Sequence, residues 1–173
     1  MNQSHFNRIA LLGLAFSALL LFAVRTSATE ISGTISSTLM ITDDSELVGD
    51  VTCTVSKAPC IVIGASHITL QLNGFSMTGQ ADPKTACSGA AVGSERGIMV
   101  DTQTGVAIRG PGLIQFFRGA GIFINNSTAV KVKRVTLSTN CLSGILVGGG
   151  SDHEFIGNVS IRNGNGSNPC GGI

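Results

Sequence analysis

One spacing of apolar residues recurs along this chain and limits its fold more than any other feature. "LQLNGFSM" carries Leu72, Phe75 and Met77, in the order apolar-x-x-apolar-x-apolar. "VKRVTL" repeats it with Val132, Val135 and Leu137, and "IGNVSI" repeats it 24 residues later with Ile156, Val159 and Ile161. Stacking the chain at this interval gives three columns. They are Val48, Leu72, Ile108, Val132 and Ile156; then Val51, Phe75, Pro111, Val135 and Val159; then Cys53, Met77, Leu113, Leu137 and Ile161. The step is 24 throughout except for 36 between Leu72 and Ile108, where Gly79 to Arg96 reads as a loop. Pro111, in "RGPG", interrupts its column where the chain must turn or bulge.

A further strand precedes each pair of columns, as "CIVIG", "GIMVD", "GIFIN" and "GILVG", led by Cys60, Gly97, Gly121 and Gly144. Each row then reads strand, loop, strand, two-residue corner, strand, loop. A single row cannot bury its apolar residues, whereas stacked rows bury them against the rows above and below, so the repeat predicts a solenoid. Parallel strands stack about 4.8 Å apart, which makes five rows a column of roughly 20–25 Å. There is no 3.6-residue stripe after the first residues, and Gly is abundant at 23 with Trp and Tyr absent. Both observations favour short strands joined by tight turns.

The chain begins with a polar start carrying Arg8, an apolar run from Ile9 to Val24, and small residues at Thr26 and Ala28. This pattern predicts a cleavable signal helix over 1–28, with an uncleaved anchor as the rival reading. Residues 29–46 are read as a cap or lead-in and 47–173 as the repeats. Removing Arg8 and Arg25 from the 11 basic residues leaves 9 against 10 acidic ones. That balance argues against a nucleic-acid binder, and no second apolar run would hold the cleaved chain in a membrane. The expected location is secreted, periplasmic or cell-surface.

"HITLQLNGFSM", "GIFINNSTAVKVKRVTL" and "GILVGGGSDHEFIGNVSI" resemble coils of secreted right-handed parallel β-helix proteins. That superfamily holds pectate lyases, polygalacturonases, alginate epimerases, phage tailspikes and many bacterial repeat proteins. The resemblance covers Leu47 to Ile173 and implies an all-β, right-handed parallel β-helix of about five coils. It further implies that a sugar-acting enzyme would use the outward face of the first strand of each row. Here that face reads Val62, Met99, Phe123 and Leu146, all apolar. It departs from the carboxylate cluster and base of pectate lyases and from the Asp-rich face of polygalacturonases. The stripe is expected to be covered by Ile31–Asp44 or a longer loop, with a protein contact surface as the alternative.

Other candidates are weaker. Asp101 and Asp152 lie two rows, about 10 Å, apart along the stack, whereas an inverting glycosidase wants roughly 6.5–9.5 Å. "SDHE" groups Asp152, His153 and Glu154 and reads as a solvated corner in preference to an acid–base site. Asn125, Asn126, Asn158 and Asn165 match the glycosylation triplet and read as corner residues. Arg109, Lys131, Lys133 and Arg134 gather near the second corner of adjacent rows, where they would attract an acidic polysaccharide or serve as a solvated edge. Of five cysteines, Cys141 and Cys170 occupy equivalent corners and are the preferred pair. Cys53 and Cys60 are candidates to clip one row, and Cys87 is left over or takes Cys141 or Cys170. No CxxC occurs and the three His are scattered, so neither a metal nor a cofactor is expected.

The chain stops at Ile173, inside a new strand, with no polar cap in view. It is expected to be a fragment, or else to self-associate through that open coil. Three functions compete: an exported binding or structural module recognising acidic polysaccharide, the N-terminal part of a polysaccharide lyase, hydrolase or epimerase, and a self-assembling adhesin segment.

Overall fold

The computed structural model describes residues 28–81 and 92–164. The segment read as a signal helix, apart from Ala28, lies outside them, as do Cys87, Asn165, Cys170 and Ile173. Among the described residues every regular element is a strand. The first are β1 (Thr29–Ile35), β2 (Leu39–Ile41) and β3 (Ser45–Cys53), followed by β4 (Ile61–Ile63), β5 (Thr69–Gln71) and β6 (Ser76–Thr78). Next come β7 (Ile98–Asp101), β8 (Ala107–Arg109) and β9 (Leu113–Gln115), then β10 (Ile122–Asn125), β11 (Ser127–Thr128), β12 (Lys131–Lys133) and β13 (Thr136–Ser138). The last are β14 (Ile145–Val147), β15 (Gly150–Ser151), β16 (Glu154–Ile156) and β17 (Val159–Ile161).

All pairings are parallel. One sheet runs β14-β10-β7-β4-β2; a larger one runs β16-β12-β8-β5-β3-β6-β9-β13-β17, with β1 beside β3. The parallel sheets curl into a half-barrel. Parallel neighbours need a crossover, and here each crossover is filled by strands of the other sheet arms. In the smaller sheet Ile61, Ile98, Ile122 and Ile145 lie side by side, and so do Ile41, Ile63, Val100 and Ile124. All eight are buried. An ideal Cβ on Gly97 would lie 2.5 Å from the Gly121 carbonyl, and one on Gly121 2.9 Å from that of Gly144. The glycines leading these strands therefore let consecutive backbones approach.

The register corrects the predicted columns. Ile108 does pair with Val132, but its other neighbour is Leu70, not Leu72. Ile114, not Leu113, sits between Met77 and Leu137. In the last row Phe155 pairs with Val132, and Ser160 with Leu137. Ile156 instead pairs with Lys133, on the side opposite to buried Val132. The step into this row is 23 residues. The step shortens earlier, from 24 at β8–β12 to 23 at β9–β13, because the corner at residues 110–112 holds one residue more than the corner at 134–135. In the last row Asn158 Nδ2 donates to the Val132 carbonyl at 2.8 Å and its Oδ1 accepts from the Val135 N–H at 3.0 Å. These bonds satisfy backbone groups at the corner. The 23-residue register leaves Ile156, Val159 and Ile161 46–47 % exposed, because a one-residue slip moves every side chain to the other face.

Residues 29–46 are not laid over the apolar stripe. Leu39 and Ile41 pair with Ile61 and Ile63, so the alternation turns Met40 outward beside Val62, 63 % exposed. The segment extends the stripe by one strand. The peptide between Gly110 and Pro111 is cis.

Candidate functional site

The basic strip is built by alternation on three-residue strands. Ile108 and Val132 point inward and are fully buried, so Arg109, Lys131 and Lys133 face solvent. Arg109 and Lys133 are direct cross-strand neighbours. Arg134 follows in a left-handed conformation, φ 57°, held by its N–H donating to the Ile156 carbonyl at 2.9 Å. Gly110 donates to the Lys133 carbonyl at 2.8 Å, and a side chain there would collide with the Arg134 carbonyl.

The four bases are not equivalent. Glu154, one strand over, takes Lys133 at 3.1 Å and Lys131 at 3.4 Å. The Lys133 hydrogen bond outweighs the opposing effect of burial and, with a lesser contribution from Lys131, holds the Glu154 carboxyl below its ordinary range. Among the described residues Arg109 and Arg134 enter no ion pair. With Lys133 and Ile156 they line an open hollow of about 280 Å³. The surplus positive charge is therefore on the arginines, which present planar forks suited to carboxylates.

The stripe residues Val62, Met99, Phe123 and Leu146 lie on neighbouring strands at matched positions, each half-buried. Arg96 lies across its middle, a contact the sequence reading missed. Its guanidinium carbon is 3.7 Å from the Phe123 ring centroid and one terminal nitrogen is 3.7 Å from the Met99 sulfur. Arg96 Nε is buried with no partner among the described residues.

A second omission is Glu95, 4 % exposed. Its carboxylate accepts from the Arg118 guanidinium, from the Lys57 N–H at 2.8 Å and from the Ser56 hydroxyl at 3.4 Å. Burial works against its charge, and Arg118, Lys57 and Ser56 together outweigh burial, so its pKa is lowered. The 23-residue interval between Glu95 and Arg118 is one row, the signal by which the pair could have been found. Cys53 and Cys60 form a disulfide across the loop that Glu95 holds. Cys141 is buried and disulfide-bonded.

The scattered acids and histidines have other duties. Asp101 accepts from the Asn125 amide at 2.8 Å and Asp152 from the Ser151 hydroxyl at 2.9 Å. His153 Nδ1 accepts from the Val130 N–H at 3.3 Å. His67 is exposed, φ 62°. Among the described residues no group of three His, Cys, Asp or Glu is placed to hold a metal ion, and no helix is long and apolar enough to cross a membrane.

Comparison with protein-family models, with curated proteins and with solved structures returns no match.

Proposed function

We propose that the chain is an exported module of the right-handed parallel β-helix type, about five coils tall, that binds an acidic polysaccharide along Arg109, Lys133 and Arg134. The observation that carries this reading is two arginines without an acidic partner among the described residues, beside a lysine on the adjacent strand. Cross-strand neighbours at about 4.8 Å present cations in a row, which suits a polymer with repeating carboxylates better than a single small anion. The Cys53–Cys60 disulfide accords with an oxidising, extracytoplasmic compartment.

The test is affinity electrophoresis through gels containing polygalacturonate, with dextran as the neutral control. Retardation by polygalacturonate alone, weakening as salt rises, is expected. The double variant R109E/R134E should weaken it by roughly tenfold, equivalent to about 1.4 kcal/mol. K131E should do less, since Lys131 is already engaged by Glu154. Equal retardation of wild type and R109E/R134E, or equal retention by dextran, would overturn the reading.

A further inference from the structure

On the outer face of the larger sheet one column of side chains changes the sign of its charge along its length. Glu30 pairs with Glu46, Glu46 with Gln71, Gln71 with Arg109, and Arg109 with Lys133. The preceding residue on three of these strands, Leu70, Ile108 and Val132, is fully buried, which turns the column to solvent. At about 4.8 Å per strand it is roughly 19 Å long. Two acids stand on one side of neutral Gln71 and two bases on the other. Arg134 lines the same hollow as Arg109 and Lys133 and adds to the basic end, where Glu154 takes part of the charge of Lys133 at 3.1 Å.

Within the chain the acidic half is unrelieved. Like charges directly opposite on neighbouring strands are destabilising, and Glu30 faces Glu46 in that way. Among the described residues neither forms an ion pair, and Glu46 accepts from the uncharged Asn73 amide at 2.9 Å. The complement to this half is present on the same face, one and two strands beyond Gln71.

We propose that two copies of the chain dock antiparallel through this face, about a two-fold axis at Gln71. Glu46 then meets Arg109 of the second copy, and Glu30 meets its Lys133, which it shares with that copy's Glu154. A two-fold contact requires each residue pair to occur twice, once in each direction. The column meets that requirement because positions equidistant from Gln71 carry opposite charge. Docking with the two columns running the same way sets acid on acid and base on base, which electrostatics rejects. The inference does not rest on the polysaccharide reading. Its basic half, Arg109 and Lys133, is shared with that site, so polymer and second copy compete for it, whereas the acidic half takes no part in polymer binding.

Sedimentation equilibrium of the purified protein at low and high salt tests it. A dimer at low salt that dissociates at high salt is expected. E30K/E46K and R109E/K133E should each raise the dissociation constant about tenfold or more, with unchanged far-UV circular dichroism. Mixing the two variants should restore a one-to-one dimer, because each supplies the sign the other has lost. E30K/E46K should keep its retardation by polygalacturonate, which separates failure of this proposal from failure of the other. A wild type that stays monomeric at low salt, a dimer indifferent to both reversals, or reversed partners that fail to combine would overturn it.

Discussion

Asn140 is fully buried and hydrogen-bonded through both ends of its amide. Its Oδ1 accepts from the Phe117 N–H at 3.1 Å, and its Nδ2 donates to the Ile114 carbonyl at 3.2 Å and to Asn163 Oδ1 at 2.9 Å. Asn163 repeats the arrangement one row on, donating to the Leu137 carbonyl at 2.9 Å. Each asparagine thus ties the corner of one row to the backbone of the row before. N140A should cost about 1–3 kcal/mol, the penalty for leaving a buried group unpaired, read as a lower thermal midpoint. Glu95 makes a pH-dependent contribution of known sign. Its pKa is lowered in the fold, so its stabilisation is full above the unfolded value and is lost as pH falls through the folded one. In E95Q that dependence should vanish. The gap in thermal midpoint between wild type and variant should be widest near neutrality and close as pH drops below the ordinary value of 4.5.

At the scale of elements, the smaller sheet shows how three-residue strands divide their surface. In β4, β7 and β10 the first and third residues are buried and the second turns outward, and with β2 and β14 in matched register this assembles Met40, Val62, Met99, Phe123 and Leu146 into one apolar stripe. Arg96 shields its centre from a loop. A guanidinium over an aromatic face contributes about 0.5–1 kcal/mol at exposed sites, and its stem covers apolar surface as well. R96A should therefore raise the fluorescence of a hydrophobic dye bound to the folded protein while lowering stability only slightly. R96K should fall between, because an ammonium lacks the planar stack. An unchanged dye signal in R96A would remove Arg96 from this role.

Across the whole molecule, stacking turns a linear charge distribution into a surface one. Glu30 and Glu46, from the acids before Lys57, and Arg109 and Lys133, from the bases after Arg96, become the two ends of one outward column, although they are far apart along the chain. Much of this was legible beforehand. A strict apolar repeat admits few folds, because only parallel rows place such positions over one another. It therefore pointed to strands, parallel order and the stripe. Register was less legible, since "GLIQ" and "EFIG" each offer two adjacent apolar residues and periodicity cannot say which turns inward. The longer corner at residues 110–112 made that choice, shortening the step from 24 to 23 from β9–β13 onward, and in the last row Ile156 went outward. Sequence alone determined that rows repeat and what chemistry each carries, since burying greasy residues at a fixed interval depends only on their order. Tertiary structure alone decided which bases Glu154 neutralises, that Arg96 lies over Phe123 and that Glu95 meets Arg118, because such contacts depend on distances between rows that no local pattern encodes.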